Sequence, residues 1–192
     1  VEAFLISTAV VAIAEIGDKT QLLAIVLAAR FGRPVPIILG ILVATLANHA
    51  LAALAGYWAA SFLAGPIFRY GLALSFIAMA VWALIPDKED EGPVAAGKWG
   101  VFAATMIAFF FVEMGDKTQV ATAALAARFQ TVMLVTAGTT VGMMLANIPA
   151  VLLGERATKI APLKLIRTIA AVIFLVLGIV ALIDAIAQTR TA

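Results

Sequence analysis

Cysteine is absent from this chain of 192 residues, and histidine occurs once, at His49. That excludes disulfides and thiolate metal sites, so any metal must be held by oxygen or by the one imidazole. Charge is scarce too. Only 12% of residues are Asp, Glu, Lys or Arg, against about 25% in a soluble domain. The net charge of +2 is small, and the basic residues form no cluster, which excludes a nucleic-acid footprint. What fills the chain instead is apolar: 64% hydrophobic residues and a mean hydropathy of +1.11. These values describe an all-α integral membrane protein whose main surroundings are a lipid bilayer.

Six apolar runs are discernible, at residues 3–29, 35–55, 67–85, 99–127, 131–153 and 163–186. At about 1.5 Å rise per residue each is long enough to cross a bilayer. The first is no signal peptide, because it lacks a basic start and carries Glu15 and Asp18 in its middle. Pro149 interrupts the fifth run and frees the carbonyl of Leu145. Residues 86–98 (PDKEDEGPVAAGK) are polar and turn-rich. They divide the chain into a first half, 1–86, a linker, 87–98, and a second half, 99–192.

The halves repeat one another. Glu15-Ile-Gly17-Asp18-Lys19-Thr20-Gln21 recurs 98 residues later as Glu113-Met-Gly115-Asp116-Lys117-Thr118-Gln119. The same offset carries residues 28–31 onto 126–129, Phe76 onto Phe174 and residues 83–85 onto 181–183. Leu46-Ala-Asn48 recurs as Leu145-Ala-Asn147, one residue further on. Three spans per half is an odd number, so the second half enters from the opposite side. The expectation is six transmembrane helices as two inverted-topology three-helix repeats, with a site near the midplane. One face of the membrane receives Arg30, Arg33, Lys88, Lys98, Arg156, Lys159, Lys164 and Arg167; the other receives Arg69, Arg128 and Arg190. The richer face is expected to be cytoplasmic, with both termini outside.

Each motif puts two carboxylates and a lysine at membrane depth, where an ionisable group costs roughly 2.5–3.5 kcal/mol on insertion scales. On an ideal continuous helix Glu15 and Asp18 share a face, as do Glu113 and Asp116, and Lys19 pairs with Glu15 at i, i+4. Gly17 and Gly115 admit a close approach and loosen the helix. Gln21 and Gln119 add neutral carbonyl oxygens. Four carboxylates and two lysines leave a formal charge of −2, which one divalent cation or two protons would balance. Oxygen ligands favour Ca²⁺, Mn²⁺ or Mg²⁺, and the reluctance of Mg²⁺ to dehydrate favours the first two. The candidate metal and proton-coupling residues are therefore Glu15, Asp18, Glu113 and Asp116, with Gln21 and Gln119 as further ligands. Lys19, Lys117, Thr20, Thr118, Asn48 and Asn147 balance charge or support the site.

At these residues the sequence resembles the small manganese/calcium cation–proton antiporters. These include bacterial manganese exporters and the Golgi and chloroplast-membrane manganese/calcium transporters. The twin E-x-G-D-K-T motifs carry the resemblance, which extends over the whole chain. It implies export of Mn²⁺ or Ca²⁺ in exchange for protons, with no prosthetic group and no enzymatic activity. It also implies a multi-pass location in a prokaryotic inner membrane, since the extra N-terminal segment of eukaryotic relatives is missing. Residues alone leave other readings open: a divalent-cation channel with the carboxylates as a selectivity ring, or an exporter of basic amino acids. Homo-oligomerisation is left open as well.

Each residue also has a plainer reading. The motif carboxylates could be structural partners of Lys19 and Lys117, but two would remain unmatched. Asn48 and Asn147 could be interhelical hydrogen bonders. His49 has no counterpart in the second half, where Ile148 stands, and a helix-to-helix hydrogen bond is the expected role. Thr45 reads as packing, and Met143 and Met144 as ordinary apolar residues. Gly40-x3-Ala44 and Gly138-x3-Gly142 read as close helix contacts. The acidic residues of the linker read as a solvated turn.

Overall fold

The computed structural model describes residues 1–63, 65–85, 100–154 and 163–190, so the acidic linker and the charged loop at 155–162 lie outside the described residues. Everything regular in the described residues is helix. Eight helices follow in order: α1 (Glu2–Glu15), α2 (Lys19–Phe31), α3 (Pro34–Phe62), α4 (Pro66–Ala83), α5 (Gly100–Glu113), α6 (Lys117–Phe129), α7 (Val132–Leu153) and α8 (Leu163–Arg190). Four of these, α3, α4, α7 and α8, are long and apolar enough to cross a membrane, and α5 is a shorter apolar helix.

The first and fourth apolar runs are not the continuous helices expected. Each divides inside its motif, into α1 and α2 and into α5 and α6. The other boundaries follow ordinary signals. Proline opens α3 and α4 at the first helical position, where its missing N–H costs nothing. α2 stops at Gly32 in the left-handed region (φ 58°), whose N–H donates to the Ala28 carbonyl. Gln130 does the same for α6 (φ 52°) without the help of glycine.

The interior is apolar, but the outside is apolar too, and polar side chains lie within. Large apolar side chains such as Leu51, Phe111, Leu145 and Val176 face outward, while Ser7, Thr45, Asn48, His49 and Asn147 are fully enclosed. A protein immersed in lipid has this distribution. α1 packs along α7, α5 along α3, and α4 along α8. Glycines permit the first two contacts. A Cβ on Gly138 would meet the Phe4 carbonyl oxygen and Ser7, and one on Gly40 would meet the Phe102 carbonyl oxygen and Thr105. Both contacts are spaced by the same 98 residues, and with Gly142 against Thr8 and Val11 they bear out the small-residue packing read from the sequence. Phe76 and Phe174 meet in one buried cluster.

The packing is not evenly shared. α1 also packs on α8, and α6 on α4. The pairs at matching offsets, α5 with α4 and α2 with α8, pack far less. α6 is correspondingly buried through its last turn, with Ala124, Leu125 and Ala126 enclosed, whereas α2 buries only Thr20, Gln21, Ala24 and Leu27. An ion pair joins the ends of α6 and α8, Arg128 to Asp184 at 2.7 Å.

Candidate cation site

The break in each motif is built by three residue types. Glu15 is the last residue of α1 and Ile16 is extended (φ −66°, ψ 117°). Gly17 takes φ +79°, a conformation that side chains oppose, and Asp18 is extended before α2 begins. Gly115 at φ +77° and Asp116 repeat the pattern between α5 and α6. Glutamine then braces the turn. The Gly17 N–H donates to Gln21 Oε1 (2.8 Å) and the Gly115 N–H to Gln119 Oε1 (2.7 Å). This resembles a capping box displaced by one residue. Neither Asp18 nor Asp116 uses its carboxylate to cap its own helix.

The break brings the two halves together. One oxygen from each of Glu15, Asp18 and Asp116 lies within 4.8 Å of the others, and all three residues are buried. Two helix N-termini, those of α2 and α6, begin beside the aspartates, while α1 and α5 end on the glutamates. Thr20 Oγ1 and Asn147 Nδ2 (3.3 Å) donate to Glu15 Oε1. Thr118 Oγ1 lies 3.4 Å from Asp116 Oδ2. A cleft lined by Ile16, Gly17, Asp18, Trp82, Lys117 and Arg167 leads to the aspartate from the end where α4 finishes and α8 starts.

Several sequence expectations change here. Glu113 is outside the compact group; Thr45 Oγ1 (2.7 Å) and Asn48 Nδ2 (3.0 Å) donate to its two oxygens. Thr45, read as packing, is thus a partner of a motif carboxylate. Its position three residues before Asn48 on one helix face was the available signal. Lys19 does not fold back on Glu15, because the chain break separates them. It reaches Asp116 of the other half at 3.5 Å. Lys117 donates to the Ile85 carbonyl (2.9 Å), with Trp82 beneath it at 6.0 Å. The glutamines have their oxygens on backbone N–H groups and their amide nitrogens on the Ala146 carbonyl (3.0 Å) and Asn48 Oδ1 (3.4 Å). In this arrangement both glutamines brace the turns. His49 is fully buried, and neither ring nitrogen has a hydrogen-bond partner in the described residues, so the expected interhelical bond is not made.

A helical bundle with buried carboxylates from two broken helices belongs to the class of membrane transporters. The chain matches the family described as "Divalent cation/proton antiporter GDT1" over two segments, residues 3–91 and 101–189, and it belongs to that family. The family is one of transporters, not enzymes. The chain is 50% identical over 175 residues to a Vibrio cholerae protein named "Putative manganese exporter", covering 91% of this chain and 87% of that one. It is 28% identical over 199 residues to "GDT1-like protein sll0615" of Synechocystis, covering 93% and 95%. No solved structure gives a significant match.

Proposed function

We propose that this chain exports Mn²⁺ in exchange for protons, through a site that Glu15, Asp18 and Asp116 form between two inverted repeats. In this reading α1 with α2, and α5 with α6, each cross the membrane as one interrupted span. With α3, α4, α7 and α8 they make six. Residues 1–86 and 99–192 are the repeats. The observation that carries the proposal is the convergence of carboxylates from both interrupted helices on one buried point.

The chemistry follows from charge. Three carboxylates with Lys19 alongside carry a formal −2, which suits one divalent cation or two protons. An empty, fully ionised site is costly at this depth, so cargo and protons replace one another. Glu113, in its Thr45 and Asn48 cradle, is a second protonatable group near the pathway. Ca²⁺ is a competing cargo, because the oxygen ligands suit both ions. Access alternates as the packing of α1 and α6 on α8 and α4 exchanges with that of α5 and α2. In this reading the Arg167 end, from which the cleft reaches Asp18, faces the cytoplasm, as the distribution of Lys and Arg suggests.

Proteoliposomes with an imposed pH gradient provide the test. Mn²⁺ movement should follow the gradient and reverse with it, and Glu15→Gln and Asp116→Asn should each abolish it. Mn²⁺ flux indifferent to the gradient would refute exchange.

A further inference from the structure

Asn147 is hydrogen-bonded in an unbalanced way. Its Nδ2 has three acceptors within reach: Glu15 Oε1 at 3.3 Å, the Met143 carbonyl at 3.1 Å and the Met143 sulfur at 3.1 Å. An amide nitrogen has two hydrogens to give. Among the described residues the Oδ1 of the same amide has no hydrogen-bond partner, and neither does Glu15 Oε2, though both residues are fully buried. Met143 is fully buried as well.

Half a turn of the amide about its Cβ–Cγ bond exchanges nitrogen for oxygen. A carboxylate oxygen, an amide oxygen and a thioether sulfur then converge on one another. All three are electron-pair donors, and a cation among them, or a proton on the carboxylate when the cation has left, reconciles them. Orphaned buried acceptors beside a carboxylate cluster are what such a cation would satisfy.

We propose that the Met143 sulfur is a cargo ligand that, with Glu15 and Asn147, favours transition-metal ions over Ca²⁺ and Mg²⁺. This rests on the cation-exchange reading above and adds a source of discrimination to it. A thioether is a soft, polarisable donor with little to offer a hard ion. At the 98-residue offset the first half has Thr45, which presents a hydroxyl to Glu113. One glutamate therefore has an oxygen neighbour on the long helix opposite, and the other a sulfur one. The two halves differ in donor chemistry at equivalent places, and the sulfur stands beside Glu15, the glutamate that belongs to the three-carboxylate group.

The test uses the full chain in lipid nanodiscs and the conservative variant Met143→Leu, which preserves volume. Affinity for Mn²⁺ and Cd²⁺ should fall about tenfold, while Ca²⁺ affinity changes by less than about twofold. X-ray absorption at the metal edge should show a sulfur shell in the Cd²⁺-loaded and Mn²⁺-loaded wild-type protein and none in the variant. An unchanged Mn²⁺-to-Ca²⁺ affinity ratio overturns the proposal. So does a wild-type spectrum holding only oxygen and nitrogen neighbours, a readout that needs no variant to fold. Failure of the wild-type chain to bind Mn²⁺ at all would instead remove the exchange reading beneath it.

Discussion

Two glycines with nearly the same torsion angle separate two effects. Gly17 and Gly115 both lie near φ +78°, where a Cβ costs about 1–2 kcal/mol. A Cβ on Gly17 would also sit 2.4 Å from the Leu163 side chain, whereas one on Gly115 would meet nothing among the described residues within 4 Å. Gly115→Ala should therefore lose only the torsional cost, and Gly17→Ala should lose that plus the displacement of Leu163. Thermal unfolding in detergent should show the second variant as clearly the less stable; equal losses would mean that Leu163 yields freely. The residues that carry charge were legible in the sequence, because two identical acidic motifs in apolar surroundings have few explanations. Thr45 was not. The residue 98 positions on is Met143, which has no hydroxyl, so the repeat does not single it out. That Gln21 and Gln119 brace the turns was not legible either. Their oxygens go to the backbone only because the helix breaks beneath them.

Helix continuity is where hydropathy misled. A run of apolar residues from 3 to 29 reads as one span, and its average hides the interruption at 16–18. The local signals were present: glycine, then an aspartate ahead of a new helix, then glutamine three residues on. Closeness between elements is equally local. A Cβ on Gly56 of α3 would lie 1.9 Å from the Ala123 carbonyl oxygen of α6, a backbone that cannot yield cheaply, while Gly71 of α4 has open space around it. Gly56→Ala should destabilise the protein and separate α3 from α6. Gly71→Ala should be neutral or stabilising by up to about 1 kcal/mol, because alanine is the better helix former. A melting series on the two variants distinguishes them, and equal melting points would contradict the packing described.

At the scale of the molecule, the duplication and the buried location of the motifs were legible, and the unequal packing of the halves was not. A repeated sequence describes two equivalent units, but a carrier at any moment has one end closed and the other accessible. The Arg128–Asp184 pair ties α6 to α8 at the end away from Arg167, and its side chains are 28% and 42% exposed. Such a pair is worth about 0–1 kcal/mol, enough to bias a balance of states without locking it. Asp184→Asn should speed modification of a cysteine placed at Leu72, which lines the cleft there, by up to about fivefold. Exchanging the charges, Arg128→Asp with Asp184→Arg, should restore the slow rate. Identical rates in all three proteins would show that the pair does not hold that end shut. The chain has no native cysteine, so the reporter has no competing thiol.

The contact of Lys19 with Asp116 has a further consequence. An ammonium group already resting on a carboxylate of the opposite half is a tenant that the protein supplies for itself. In the exchange proposed above, arriving cargo displaces it and departing cargo lets it return. The proton-loaded carrier would then make its homeward stroke with that acid matched by a tethered cation, so that fewer protons are needed to keep the passage through lipid neutral.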